Sequence, residues 1–261
     1  MVLADGSLDG PGIGTFSGMA VILLAGVVGG VVVWGATKMS RRLRLLPSHR
    51  FWKTMGNRVP FIVLGAPDWA PAVSWEKSGM VGMGDIQALV EIESQLRRLG
   101  FSGTIVESKE LTPQELKRDL VLIGGPDGNS VTATMMGRMN GASSYAFAMD
   151  LGPDAGAVYD KRSSREITPK YDDLGNPMND FGLIIRAANP LAPDTAEIVI
   201  LAGCWGFGTA AAAEKLGDQK FLRQLKKSRH FEVLVETTVE HGAHYNTKVR
   251  DTRTITPVPA E

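Results

Sequence analysis

The hydrophobic positions near the N-terminus form one long run. No charged residue occurs from Gly10 to Thr37, and the stretch from Phe16 to Trp34 is almost entirely apolar. About twenty apolar residues suffice for a helix to cross the hydrocarbon layer of a bilayer. The pattern therefore predicts one transmembrane helix over residues 16–37. A cleaved signal peptide is the alternative, but no Lys or Arg precedes the run, and the run is longer than a signal peptide needs.

Short apolar runs alternate with helical patterns in the rest of the chain. Phe61–Leu64 and Leu120–Ile123 have the continuous apolar character of buried strands, whereas the apolar residues from Ile86 to Leu99 recur at helical spacing. This alternation predicts an α/β fold with a three-layer, mostly parallel sheet, helices on both faces and room for antiparallel edge strands. The predicted strands are 61–64, 104–106, 120–123, 145–149, 181–185, 198–201, 231–239 and 245–256; the predicted helices are 85–99, one beginning at the capping box of Thr112 and Glu115, 130–139, 209–213 and 219–229.

Seven basic residues and no acidic residue follow the apolar run, between Lys38 and Arg58. Because such clusters stay on the cytoplasmic side, they predict a single-pass protein of the inner (plasma) membrane with its N-terminus outside. Pro47 is expected to interrupt any helix here, so the stretch is interpreted as a linker along the surface. The predicted organisation is a short external N-terminus (1–15), the transmembrane helix (16–37), a basic juxtamembrane linker (38–57) and a cytoplasmic α/β domain (58–261).

The first 58 residues also suggest which lipid or protein partners the chain has in the membrane. The basic cluster attracts anionic membrane lipid. Small residues four apart, Ala25 with Gly29 and Gly26 with Gly30, let a second helix approach closely, which predicts self-association or a membrane protein partner. The alternative is that Gly and Ala are simply common in such helices.

Charge and cysteine content exclude several classes of function. The chain has 28 basic and 28 acidic residues, but seven of the bases and two of the acids precede residue 59, which leaves a net charge of −5 beyond it. A domain with this balance is a poor partner for nucleic acid. The single cysteine, Cys204, excludes an intramolecular disulfide and a zinc site of paired cysteines.

Two glycine-rich loops follow predicted strands, where ligands bind in open α/β sheets. In the first, Gly124, Gly125 and Asn129 precede a helix; in the second, Gly206 and Gly208 precede Thr209 and an alanine-rich helix. Free N–H groups at a helix start favour an anion such as phosphate or carboxylate. The alternative is that the glycines only permit tight turns and close packing, with Asn129 as a helix cap.

Few residues in the sequence are candidates for catalysis. His241 and His244 have the character of a surface turn, and Cys204 that of a small buried thiol. Aspartates flank several strands, so a pair of carboxylates is conceivable, but turns and caps explain them equally well. No metal site, no cofactor and no catalytic residue is predicted. The aspartates are Asp68, Asp127, Asp150 and Asp180.

The segments 122–129, 181–190, 199–203, 206–212 and 231–235 together resemble a Rossmann-like domain of bacterial membrane and signalling proteins, which is similar to the C-terminal domain of archaeal surface-layer proteins. The glycine-threonine helix start also resembles, more weakly, nucleotide-sensor domains of the LOG/DprA type. This resemblance implies nucleotide-derived ligands at Gly124, Gly125, Asn129, Gly206, Gly208 and Thr209. Ala210 stands where the catalytic LOG pattern has glutamate, which argues against hydrolysis.

These observations together predict a membrane-anchored, non-catalytic domain that senses or binds a nucleotide-like anionic small molecule. A structural or accessory subunit of a membrane assembly is the alternative, and a nucleotide-processing hydrolase is the second alternative.

Overall fold

The computed structural model describes residues 34, 43–66, 79–139, 141–148, 156–225 and 228–255. Within these ranges no helix is long and apolar enough to cross a membrane. The predicted transmembrane helix and its small-residue pairs lie outside the described residues, Trp34 excepted, as do Asp68 and Asp150. The anchor and its orientation therefore stay predictions. The chain divides into two compact units, Met1–Leu46 and Pro47–Glu261, and the second contains every strand named below.

Helices and short strands alternate through the first half of the second unit, and longer strands occupy the second half. The elements are α1 (43–56), β1 (Phe61–Leu64), α2 (Met83–Arg98), β2 (Thr104–Glu107), a 3₁₀ turn (Glu115–Lys117), β3 (Leu120–Ile123), α3 (Ser130–Arg138), β4 (Tyr145–Phe147), β5 (Val158–Asp160), β6 (Arg165–Ile167), β7 (Asn179–Ala188), β8 (Glu197–Gly203), α4 (Gly206–Gly217), α5 (Gln219–Gln224), β9 (Phe231–Glu240) and β10 (Ala243–Thr254).

Seven strands form the main sheet in the order β10-β9-β7-β8-β3-β1-β2. Strands β8, β3, β1 and β2 pair in parallel, whereas β7, β9 and β10 add antiparallel pairings on one side. The predicted mostly parallel α/β sheet is therefore confirmed, and the antiparallel part extends over three strands. Leu64, Ile123 and Leu201 are neighbours across the sheet, so the carboxyl ends of β1, β3 and β8 meet at one edge.

The two faces of the sheet are covered differently. Alternate strand residues face opposite sides, as the period of a strand requires; Val121 and Ile123 pack with the helices α1, α2, α4 and α5. Leu120 and Leu122 pack on the other side with α3 and with a three-stranded sheet of β4, β5 and β6. The expectation of helices on both faces thus holds; among the described residues, one face carries a nine-residue helix beside a small second sheet.

The expectation that Pro47 interrupts any helix is wrong, because residues 43–56 are helical throughout. Phe51, Trp52 and Met55 of α1 are buried in the core, and the indole N–H of Trp52 donates to Gln95 Oε1 at 3.4 Å. A proline inside a helix costs about 3 kcal/mol, whereas each large apolar side chain contributes about 2 kcal/mol on burial. The structure therefore corrects the interpretation of this part as a surface linker.

One further helix prediction differs from the structure. The capping box forms, with the backbone N–H of Thr112 donating to Glu115 Oε2 at 2.8 Å, but only the 3₁₀ turn follows it. The polar stretch 156–179 contains the β5–β6 hairpin and a turn closed by a bridge between Tyr171 and Pro177.

Candidate functional site

A cleft of about 630 Å³ lies at the carboxyl ends of β3 and β8. Its volume is in the usual range for small-molecule sites. The loop after β3, the first turns of α2 and α4, and the turn near Tyr171 form its walls. The lining residues are Gly82, Met83, Gly84, Asp85, Gln87, Gly125, Asp127, Gly128, Tyr171, Gly175, Pro177, Gly203, Cys204, Trp205, Gly206, Phe207, Thr209 and Gly242.

The starts of α2 and α4 cross in close contact beside the cleft. A Cβ atom on Gly84 would collide with the carbonyl oxygen of Gly206, so the two helices can approach this closely only because residue 84 has no side chain. Both helices direct the positive end of their dipole to this edge of the sheet. The crossing therefore places the N-termini of two helices beside the cleft.

Asp180, the second residue of β7, pairs with backbone N–H groups at the N-terminus of α4. Its buried carboxylate accepts hydrogen bonds from the backbone N–H groups of Gly208 at 2.5 Å, Phe181 at 2.7 Å and Trp205 at 3.2 Å. Burial raises the pKa of Asp180 to about 7, and the three N–H groups act in the opposite direction. Because Asp180 occupies the Gly208 N–H, that group is not available to a ligand.

Asp85 and Asp127 place two carboxyl groups in the same cleft. Burial and, to a smaller extent, the neighbouring charge of Asp127 raise the pKa of Asp85 to about 6, while a hydrogen bond with the Thr209 side chain opposes them. A carboxyl group perturbed in this way inside a cleft marks a functional-site candidate. The described lining residues include these two acids and no Lys, Arg or His.

Aromatic side chains form the opposite wall. Trp205 is 40% exposed, and its indole N–H donates to the hydroxyl of Tyr171 at 2.9 Å. Phe207, in the first turn of α4, lines the cleft beside them. The hydrogen bond fixes the orientation of the indole, so a flat ligand would meet an already ordered surface.

The structure brings half of the predicted ligand residues together: Gly125, Gly206 and Thr209 line the cleft. Asn129 is fully buried, and its side chain caps α3 through the N–H groups of Val131 and Thr132. Its Nδ2 also donates to the carbonyls of Val63 at 3.2 Å and Ile123 at 3.0 Å, so its side chain is fully occupied within the protein.

The remaining predicted residues, Gly124 and Gly208, are not among the residues lining the cleft. Gly124 has φ +102°, a conformation that favours glycine, in the turn after β3. A Cβ atom on Gly208 would collide with the carbonyl oxygen of Phe181, so this glycine permits α4 to pack against β7. Ligand contact at the six residues stays a prediction, strongest for the three that line the cleft.

The other candidates for chemistry have ordinary structural surroundings. Burial raises the pKa of the Cys204 thiol, which disfavours the thiolate needed for attack. His241 and Gly242 form the two-residue turn between β9 and β10, both at positive φ, and His244 Nε2 contacts Glu214 Oε2 at 3.0 Å. Across the part of the chain that the structure describes, no three His, Cys, Asp or Glu residues are arranged to hold a metal ion.

Sequence reasoning missed Asp85, Trp205 and Tyr171 as parts of the cleft. Asp85 is predicted only as a helix start, and the two aromatic residues lie 34 positions apart. Comparisons with known proteins add no relative, since no family model and no curated protein matches the chain. The likeness to nucleotide-sensor domains therefore stays a prediction.

Proposed function

We propose that this protein is a membrane-anchored, non-catalytic binding or sensor protein whose cleft at the carboxyl ends of β3 and β8 takes a nucleotide-like ligand. The alternation of strands and helices is compatible with a Rossmann-like fold, in which ligands bind at this edge. The observation that carries the proposal is the combination, in one cleft, of the Asp85–Asp127 carboxyl pair with the ordered Trp205–Tyr171 pair. The anchor rests on the uncharged run of residues 16–37.

The two walls match the two halves of a nucleoside. The exposed face of Trp205 suits stacking on a base, which contributes about 1–3 kcal/mol per base at other aromatic sites. Carboxylates accept hydrogen bonds from sugar hydroxyls, and Asp85 and Asp127 are the carboxylates among the described lining residues. One anionic group would sit at the first turn of α4, where the dipole favours it.

The absence of basic side chains from the described lining residues limits the charge of the ligand. Polyphosphates are usually held by Lys, Arg or a metal ion in addition to backbone N–H groups. A monophosphate or an uncharged nucleoside therefore fits this cleft better than a triphosphate.

Thermal unfolding of the full chain in a mild detergent tests the proposal. AMP, GMP, CMP and UMP are added one at a time, with ATP for comparison. A ligand at 100 times its dissociation constant adds about 2.7 kcal/mol of stability, which raises the Tm of a protein of this size by about 5–10 °C. We expect at least one monophosphate to raise the Tm, and Trp205→Ala to remove the increase. Asp194→Asn, a change at an exposed residue, should keep it.

A structural or accessory subunit remains the alternative, favoured by the packing roles of Gly84 and Gly208 and by the internally satisfied Asn129. No Tm increase with any nucleotide or nucleoside would support it. A nucleotide-processing hydrolase is favoured only by the two neighbouring carboxyl groups, since acid–base chemistry uses such pairs. Chromatography of each nucleotide after incubation with the protein would reveal its products.

A further inference from the structure

A second cleft, of about 470 Å³, lies at the other end of the main sheet. Arg186 of β7 pairs with Phe231 at the start of β9 and with Val199 near the start of β8. The cleft lined by Arg186 and Phe231 is therefore at the amino ends of β8 and β9, whereas the proposed nucleotide cleft is at the carboxyl end of β8. α1 and α5 complete it, through Arg50, Phe51 and Leu222.

Arginine side chains dominate the polar part of this second cleft. Arg186 and Arg229 share one carboxylate: Arg186 Nη2 lies 2.5 Å from Glu197 Oε2, and Arg229 Nε pairs with Glu197 Oε1. Arg50 is exposed and has no hydrogen bond or ion pair with any described residue. Burial lowers the pKa of the adjacent His230, which favours the neutral form of its ring.

Three guanidinium groups with one carboxylate leave an excess of two positive charges. Two of the three can still turn toward a ligand, because Arg50 has no partner among the described residues and the side chain of Arg229 is 65% exposed. Arg186 is fixed, since its Nη1 also donates to the carbonyl of Phe51 at 2.7 Å. Guanidinium groups arranged around a pocket bind phosphate with paired hydrogen bonds.

Apolar side chains form the rest of the cleft. Phe51, Leu222 and Phe231 belong to the hydrophobic core and also line this opening. The guanidinium of Arg186 lies over the Phe51 ring, 4.6 Å from its centroid. The cleft thus offers a phosphate site beside apolar surface, which is the chemistry of an anionic amphiphile.

We propose that this cleft binds the phosphate group of an anionic phospholipid, with Arg50 and Arg229 as its main ligands. Pro47, which also lines the cleft, follows the end of the predicted transmembrane helix at Thr37 by only ten residues. Ten extended residues span at most about 35 Å, so the chain length allows the cleft to reach lipid headgroups. This inference depends on the predicted membrane anchor, because the anchor makes membrane lipid the source of the phosphate group. It does not depend on the proposed nucleotide cleft.

Thermal unfolding of the full chain in neutral detergent micelles distinguishes the sources. Dioctanoyl phosphatidylglycerol, dioctanoyl phosphatidylcholine and inorganic phosphate are titrated separately. We expect phosphatidylglycerol to raise the Tm and phosphatidylcholine to do so at least tenfold less effectively by concentration. Arg50→Gln should weaken the phosphatidylglycerol effect about tenfold, since it removes one charged hydrogen-bonding partner and no hydrogen bond or ion pair to a described residue.

Arg138→Gln is the matched control, because Arg138 is also exposed but belongs to α3, on the opposite face of the sheet. It should leave the lipid response unchanged. A response to inorganic phosphate that also depends on Arg50 would support the anion site and assign it to free phosphate. No response to either anion, or a lipid response that survives Arg50→Gln, would overturn the proposal. The response to AMP at the other cleft is read separately and is expected to be the same in wild type and in Arg50→Gln.

Discussion

Replacing Asp85 with asparagine removes a carboxyl group whose ionised form is disfavoured by burial. Burial and the charge of Asp127 raise the pKa of Asp85 from 3.8 to about 6. The folded protein therefore binds more protons than the unfolded chain between pH 4 and pH 6, and its free energy of unfolding falls as the pH rises through this range. A difference of two pKa units corresponds to about 3 kcal/mol.

The amide introduced by Asp85→Asn would carry no charge, and its oxygen can still accept the hydrogen bond from Thr209. We therefore expect Asp85→Asn to raise the free energy of unfolding by about 2–3 kcal/mol at pH 8 and to leave it nearly unchanged at pH 4. The same substitution should weaken AMP binding, since the amide offers one acceptor oxygen in place of two. Higher stability with weaker binding is the relation expected of a residue retained for its function.

Urea unfolding of wild type and Asp85→Asn, followed by circular dichroism at pH 4, 5, 6, 7 and 8 in one detergent, measures this difference. Asp194→Asn serves as the matched control and should give a difference below about 0.5 kcal/mol at every pH. Asp180, whose pKa is also raised, contributes equally to all three proteins and cancels. A destabilisation by Asp85→Asn that is the same at pH 4 and pH 8 would refute the reasoning.

Three further substitutions, the first with a control substitution, test packing, capping and the aromatic wall. Gly208→Ala should lower the free energy of unfolding, measured in urea, by at least about 3 kcal/mol, because its Cβ meets the backbone of Phe181. Gly137→Ala, whose Cβ lies in open space on α3, should raise this free energy by about 0.5–1 kcal/mol. Asn129→Ala should cost about 3 kcal/mol by the same measurement, since it removes a helix cap and two buried hydrogen bonds. Trp205→Ala should weaken AMP binding at least tenfold in a calorimetric titration and leave the Tm without ligand within about 2 °C.

The sequence predicts best those elements whose pattern of apolar residues follows directly from which of their faces are buried. β1, β3 and β8 are continuous apolar runs because both faces of a central strand are covered, and α2 shows a periodic apolar stripe because only one face is buried. α1 is missed because Pro47 is a strong local signal against a helix, and only the tertiary burial of Phe51 and Trp52 outweighs it.

The candidate site is predictable in its location but not in its chemistry. Gly125, Gly206 and Thr209 follow from the rule that ligands lie beyond the carboxyl ends of parallel strands. The role of Asp180 depends on a contact between β7 and the start of α4, 28 residues apart, which no local pattern encodes. The pairing of Tyr171 with Trp205 likewise depends on how a turn of polar residues folds back over the sheet.

Hydrogen–deuterium exchange of the full chain with and without saturating AMP tests the central claim most directly. Because ligand contact slows the exchange of nearby backbone N–H groups, we expect protection at residues 82–87, 125–128 and 203–209, three of the segments that line the cleft. Protection should be weak in Trp205→Ala under the same conditions. Unchanged exchange at all three segments, or protection confined to residues 47–54 and 222–231 at the other end of the sheet, would contradict it.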